Sequence, residues 1–200
     1  MIHKVTLRTP CAQRIYNRTF AEVARNLYSL NVVARLISKN EQTVDELNAI
    51  VEQRFSEVEE LVTAEIERIK VLRDESGIEA VPEYTDPKTF ECDVSTPMAL
   101  KYIKLLRNID EIVVLLDSLW LTEEIDDKQK LRGEYLWQSR AIKLSNQFRD
   151  LYSRSRSAQK RQRQEDAEAN KQRKEEKDQS EDSGSESENP EDEVALVKAL

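Results

Sequence analysis

The chain has 200 residues and a formal net charge of −8, and 35% of its residues are charged. Three glycines and five prolines leave little material for a turn-rich β fold, so the composition indicates a mainly helical protein. Two cysteines do not make a disulfide framework. No apolar run approaches the roughly 18 residues of a membrane span, so we expect no membrane partner and a cytoplasmic location.

The chain begins with the alternating pattern of a β-strand. In HKVTLRTP, residues 3–10, Val5 and Leu7 point to one face while Lys4, Thr6 and Arg8 point to the other. A second alternating stretch lies at 90–94. Each strand needs a partner for its ladder, either in the same chain or across a dimer. One N-terminal strand per chain favours a homodimer.

Helical patterns fill most of the remaining chain. Thr9 and Pro10 start a short helix, and the Thr-x-x-Glu spacing of Thr19 and Glu22 predicts that a new helix begins there with a capping box. The helix over 44–76 has a predicted apolar stripe of eight residues: Val44, Leu47, Val51, Phe55, Val58, Val62, Ile66 and Ile69. The helix after Pro97 is the most apolar in the chain, which predicts its burial on more than one side. In the last helix, the predicted apolar stripe contains Leu131, Tyr135, Ile142, Phe148 and Leu151. The predicted helices cover about 10–17, 20–38, 44–76, 97–120 and 126–152.

The sequence divides into a helical domain and a charged tail. We assign residues 1–157 to a helical domain, with a ribbon-helix-helix-like element at about 3–38 and a helical extension at 41–157. Residues 158–193 lack apolar periodicity, and their composition predicts a disordered charged tail that runs over 158–200. VTLRTPCAQRIY and CDVSTPMALKYI share the order strand, Thr-Pro, helix, which leaves an internal duplication open as an alternative.

Charge is segregated along the chain. Residues 1–40 contain seven Lys and Arg and one acid, whereas residues 41–96 contain sixteen acids and five bases. Such segregation is typical of a protein that presents a basic face to a polyanion. The alternative is that the N-terminal bases pair with the acidic helix inside one fold.

The sequence offers little for catalysis. It contains one histidine, His3, and no phosphate-binding loop, nucleophile elbow or zinc-protease motif. Cys11 lies in a first helical turn, where the helix dipole can lower a thiol pKa, or it is simply a small buried residue. We therefore expect a protein that is not an enzyme and that has no metal and no cofactor.

The N-terminal pattern favours double-stranded DNA as the partner. A two-stranded ribbon fits the major groove, where Lys4, Thr6 and Arg8 would reach base edges. Arg14 and Arg18 would contact phosphates. The free amides of a helix that starts at Thr19 would hold another phosphate. Strand, short helix and longer capped helix follow the order of a ribbon-helix-helix element.

One segment carries a family resemblance. CDVSTPMALKYIKLLRNIDEIVVLLDSLWLTEEID, residues 92–126, resembles the AcaB-like transcriptional regulators of conjugative plasmids and integrating conjugative elements. The matching features are an extended stretch that ends in Ser/Thr-Pro, small and aromatic residues in the next helical turns, an Asp and a Leu pair. These are Ser95, Thr96, Pro97, Ala99, Tyr102, Asp110 and Leu115–Leu116. The likeness extends over about 4–155 and does not include the charged tail.

The resemblance implies a ribbon-helix-helix-related DNA-binding protein that acts on promoters of transfer genes. Its activity would be binding, without a chemical step. Together with the residues, it predicts a sequence-specific DNA-binding regulator of conjugative transfer genes on a mobile element, taken as an activator, with repression left open as the alternative. The alternative is a helical scaffold or accessory protein of a conjugation complex that does not bind DNA sequence-specifically.

Overall fold

The fold is helical with one short two-stranded sheet. The computed structural model describes residues 1–33, 41–79 and 81–182. In chain order, the elements are β1 (Ile2–Leu7), α1 (Pro10–Tyr28), a π-helical segment (Ser29–Val33), α2 (Glu41–Glu75), β2 (Lys88–Asp93), α3 (Pro97–Leu121) and α4 (Asp127–Asp182). The predicted mainly helical fold with a short N-terminal strand is therefore confirmed.

The sheet is built within one chain. β1 pairs with β2 in antiparallel orientation, from Ile2 opposite Asp93 to Leu7 opposite Lys88. The backbone at the chain start extends this pairing, because the amide of Val94 donates to the carbonyl of Met1 over 2.9 Å. Since β2 supplies the ladder partner, the strand argument for a homodimer no longer holds.

The two strand-helix units follow the same plan. Thr9 accepts a 3.2 Å hydrogen bond from the amide of Ala12, and Thr96 accepts an equally long one from Ala99, so each threonine caps the helix that its proline begins. The two caps are 87 positions apart, and so are Lys4 and Glu91, which face each other in the ladder. The two strand-helix units thus share their cap and its spacing from the ladder, which is consistent with the internal duplication that the sequence leaves open.

The predicted helix break before Thr19 is wrong. α1 runs without interruption from Pro10 to Tyr28. Thr19 is buried in its middle, where its hydroxyl donates to the carbonyl of Ile15 over 2.7 Å. A capping box needs a helix to begin at its threonine, and here the helical ladder already continues through that position. The predicted extension of this helix over 34–38 lies outside the described residues.

The ribbon-helix-helix arrangement is not confirmed. That motif needs two helices after the strand and a ribbon shared between two chains. In this structure α1 and α2 follow β1, but the ribbon belongs to one chain, and α1 runs through the position at which the predicted second helix would begin.

α2 and α3 form most of the core. The predicted stripe of α2 is buried at Val44, Val51, Phe55, Val62 and Ile69. α2 ends at Glu75, and Gly77 follows with a positive φ of 66°, a conformation that glycine adopts without steric cost. α3 packs against α1 as well as α2. This explains its dense apolar sequence, which is buried on several sides.

The buried face of α4 agrees with the predicted one only in part. Phe148 is buried as predicted and Leu151 packs against the core, but the other core residues are Trp137, Ala141 and Leu144, whereas Leu131 and Tyr135 are exposed. All of these residues have helical spacing, so periodicity alone could not choose among them. Packing decides the choice: Phe148 packs against Phe55 of α2 with ring centroids 5.0 Å apart, and Gly133 lies against Leu116 of α3.

α4 also extends further than its apolar stripe. The sequence predicted disorder from residue 158, but the helix continues to Asp182, and residues 183–200 lie outside the described residues. The chain divides into two compact units, Met1–Arg156 and Ser157–Leu200. All of the core residues belong to the first unit.

Removal of residues 157–200 should leave the thermal midpoint nearly unchanged, because none of the core side chains that the structure describes lies beyond Tyr152. Thermal unfolding followed by circular dichroism checks this expectation. A chain cut after Arg140 is the control, since it also loses Ala141, Leu144 and Phe148 and should unfold at a markedly lower temperature. A large drop for the first truncation would contradict the division into units.

Candidate nucleic-acid interface

The outer face of the ribbon carries charges of both signs. Lys4 projects from β1 and forms a 3.1 Å ion pair with Glu91 of β2. The hydroxyls of Thr6 and Thr89 lie 2.9 Å apart across the ladder. Asp93 adds a second acid on this face. Lys4 and Thr6 are thus exposed as predicted, but neighbouring acids offset the positive charge of the ribbon.

Arg8 forms hydrogen bonds with a buried carboxylate. The carboxylate of Asp110, which is 2% exposed, accepts hydrogen bonds from the backbone amide and Nε of Arg8, at 3.1 Å and 3.2 Å. It also accepts 2.8 Å bonds from the amide and hydroxyl of Thr9. A carboxylate at the start of α1 complements the helix dipole. Asp110 therefore fastens α3 to the junction of β1 and α1, and Arg8 serves this junction.

Gln13 closes the same junction from the other side. It is buried, and its Nε2 donates to the carbonyls of Leu7, over 3.2 Å, and Asp86, over 3.0 Å. This ties α1 to the end of β1 and to the segment that leads into β2. The burial of Gln13 could not be predicted from the sequence, because a polar residue between two helical positions gives no signal of its burial.

Thr19 is buried and cannot contact a phosphate. Besides its bond to Ile15, its Oγ1 accepts a 2.7 Å hydrogen bond from the hydroxyl of Tyr102 in α3. Burial raises the pKa of the Tyr102 hydroxyl, which therefore stays protonated and remains a donor. Thr19 joins α1 to α3.

Three arginines follow the exposed face of α1. Arg14, Arg18 and Arg25 are exposed and lie four and seven residues apart, so they share one side of the helix. Arg18 and Arg25 form no ion pair with any residue that the structure describes. Arg25 was not among the predicted residues, although its seven-residue spacing from Arg18 is visible in the sequence.

α4 contributes two further arginines beside α1. Arg149 lies 3.9 Å from the carboxylate of Glu22, which is the one acid of α1. Arg156 follows seven residues later on the same helix face and is exposed. Arg149 therefore offsets the charge of this acid. We call Arg14, Arg18, Arg25, Arg149 and Arg156 the basic surface.

The acidic helix lies elsewhere. α2 contains eleven acidic and four basic residues, and its cross-helix ion pairs with α3 are Glu52–Lys101 and Lys70–Glu111. Within residues 1–33, 41–79 and 81–182, no ion pair joins an arginine of α1 to an acid of α2. The alternative in which the N-terminal bases are neutralised by the acidic helix is therefore not found.

A shallow groove connects the basic surface to the ribbon. Its lining includes Ala21 and Arg25 of α1 and Glu91 and Asp93 of β2. On its floor, Tyr16 packs against Phe90 with ring centroids 4.1 Å apart. The exposed faces of α1 and the ribbon thus adjoin, with the arginines on one side and the acids on the other.

The cysteines show no sign of activation. Burial raises the pKa of Cys11 to about 11, so its thiol stays neutral at physiological pH despite its place at the start of α1. Cys92 is also buried, and its Sγ lies 3.3 Å from the hydroxyl of Tyr16. In the described part of the chain, no group of three or more His, Cys, Asp or Glu side chains is placed to hold a metal ion.

The fold is similar to that of a protein of known structure. No protein-family model and no curated protein matches the chain. The structure matches the crystal structure of selenomethionine-containing AcaB from uropathogenic E. coli with a TM-score of 0.79 and 25% sequence identity, covering 84% of this chain and 86% of that one. The chain is AcaB-like. The family resemblance that residues 92–126 indicated is thereby confirmed.

The match to AcaB extends over most of the chain. Its coverage of 84% of this chain exceeds what the motifs at 92–126 could show by themselves. Asp110 and Thr96, two of the residues that carried the sequence resemblance, form the α1 junction and the α3 cap. Among the described residues, no helix is both long enough and apolar enough to cross a membrane.

Proposed function

We propose that this AcaB-like chain is a sequence-specific DNA-binding regulator of conjugative transfer genes on a mobile element, acting as a transcriptional activator in the cytoplasm. The observation that carries the proposal is the basic surface. Its arginines stay exposed in a protein of net charge −8, and α1 contains one acid whereas α2 contains eleven. Such a separation costs self-repulsion within the basic face, and a polyanion relieves it.

The roles of the residues follow from their surroundings. The basic surface would contact phosphates, which position a protein on DNA without reading its sequence. Lys4 and Thr6, on the exposed ribbon next to the groove, are the candidates for contacts with base edges. Thr19 is assigned to the protein interior, because its hydroxyl is used by Ile15 and Tyr102. Arg8 is assigned to the β1–α1 junction, because its backbone amide and Nε bind Asp110, while its side chain is 43% exposed.

The acids of the ribbon add a condition to this proposal. Glu91 pairs with Lys4, so a base edge must replace the carboxylate, or Glu91 must itself accept a hydrogen bond from cytosine N4. An acid opposite a phosphate would be repelled. The ribbon can therefore approach base edges only if the phosphates along that DNA groove contact the arginines of the basic surface and not the acids of the ribbon.

Duplex-DNA titration tests the proposal. Fluorescence anisotropy would compare a duplex from upstream of the neighbouring transfer genes with a shuffled duplex of the same composition, at about 50 and 200 mM salt. We expect the upstream duplex to bind about a thousandfold more tightly or better. Both affinities should fall steeply with salt. Equal, weak affinities would instead favour the helical scaffold of a conjugation complex.

A further inference from the structure

The last helix continues past the core as a strongly basic stretch. Residues 151–164 of α4 contain five Lys and Arg and no acid, whereas residues 165–182 contain eight acids and four bases. We call residues 157–164, which lie wholly in the second unit, the basic segment. Its bases are exposed, and none of them forms an ion pair with a residue that the structure describes. They are Lys160, Arg161 and Arg163.

The basic segment takes no part in the core. All of the core residues that the structure describes belong to the first unit, and the basic segment contains no large apolar residue that could form a buried stripe. Lys160 and Arg163, three residues apart, are neighbours on the helix surface, where like charges repel. A partner that supplies negative charge would therefore stabilise this part of the helix.

The three bases flank a strip of polar side chains. Each residue turns a helix by about 100°, so Lys160 and Arg163 share one side of α4 and Arg161 lies on the other. Ser157 and Gln164 are seven residues apart, are both exposed, and lie between the two sides. The basic segment thus presents uncharged hydrogen-bonding groups with positive charge to the left and right of them.

We propose that the basic segment binds duplex DNA as a helix in the major groove. This groove is about 12 Å wide, close to the diameter of roughly 10–12 Å of a helix with its side chains. Phosphates then line both sides of the helix, so Lys160 and Arg163 would contact one strand and Arg161 the other. Ser157 and Gln164 would face base edges, where a glutamine amide pairs well with adenine.

Other polyanions match the basic segment less well. An anionic membrane surface binds amphipathic helices, and this segment has no apolar face. Single-stranded nucleic acid is bound largely by stacking on aromatic side chains, and the segment contains none. The major groove of duplex RNA is too deep and narrow for side chains to read. Duplex DNA matches both the charges and the polar strip.

Replacing the three bases by glutamine tests the contact in the full chain. This inference rests on the proposed function, because it takes duplex DNA as the partner, so the same upstream and shuffled duplexes serve as probes. We expect the affinities for both to fall about tenfold or more at low salt, and the slope of log affinity against log salt to become shallower by nearly three. The variant carries Lys160→Gln, Arg161→Gln and Arg163→Gln.

The same helix provides the matched control for this variant. Replacing three bases further along α4 by glutamine removes the same charge from a stretch that also contains acids. This control should change affinity and salt slope far less, because its positions lie outside the basic segment. It carries Lys171→Gln, Arg173→Gln and Lys177→Gln.

A proline distinguishes a groove-bound helix from a flexible charged chain. Gln162→Pro keeps every charge but interrupts the helix between Arg161 and Arg163, so binding should weaken about tenfold. Gln172→Pro, ten residues further along α4, is the matched control and should leave the affinity nearly unchanged. Neither position belongs to the core, so the thermal midpoint of both variants should stay close to that of the parent.

The outcomes separate this inference from the proposed function. A parent chain that binds the upstream and shuffled duplexes equally would count against the proposed function, and one that binds neither would overturn both proposals. A parent that discriminates between them, together with a triple variant of the basic segment whose affinity and slope are unchanged, would overturn this inference alone. So would an equal loss in the control triple. A Gln162→Pro variant that binds like the parent would overturn the groove-bound helix.

Discussion

Asp110→Ala should lower the free energy of unfolding by about 3 kcal/mol, the largest stability loss that we expect from one polar residue here. The carboxylate is buried and accepts bonds from the amides of Arg8 and Thr9, the Thr9 hydroxyl and Arg8 Nε. Alanine would leave these donors without an acceptor in a site that water does not readily reach. The start of α1 would also lose the negative charge that complements its dipole.

Urea unfolding measures this effect. Glu111→Ala, one residue further along α3, is the matched control. Its ion pair with Lys70 is 2.7 Å long, but the side chain of Glu111 is 39% exposed, so the loss should be at most about 1 kcal/mol. Similar losses of unfolding free energy for the two variants would show that Asp110 does not stabilise the β1–α1 junction in this way.

Replacing Arg14, Arg18 and Arg25 together by alanine should weaken binding to every duplex about a hundredfold at low salt. Each phosphate contact contributes roughly 0.9 to the slope of log affinity against log salt, so the slope should become shallower by nearly three. The arginines are exposed, so the thermal midpoint should change little. Affinity measured over a range of salt concentrations gives the slope directly.

The acidic helix provides the control for this variant. Glu59, Glu60 and Glu67 line an exposed part of α2, and their joint replacement by glutamine raises the net charge by the same amount as the arginine variant lowers it. If overall charge alone set the affinity, binding would strengthen as much as the arginine variant weakens it. If the basic surface is the contact, we expect a much smaller change, and an unchanged salt slope in the arginine variant would contradict the assignment.

Several parts of the structure could be predicted from local sequence. The Thr-Pro pairs at 9–10 and 96–97 start helices because a threonine oxygen accepts an amide hydrogen and proline fits the first helical position. The stripe of α2 and the density of α3 predicted their burial. The separation of charge between α1 and α2 was also visible, because it depends on composition and not on contacts.

The tertiary structure decided the rest. Thr19 has the sequence of a helix cap, yet contact with Tyr102 makes it an interior residue of α1. Arg8 alternates with exposed strand residues, but Asp110, 102 positions away, captures it. Leu131 and Tyr135 have the same helical periodicity as the core residues of α4, and the packing of α4 against α2 and α3 left them outside. Local pattern determines which conformation a segment adopts, whereas its partners, distant in sequence, decide which of its faces is buried and which is left for binding.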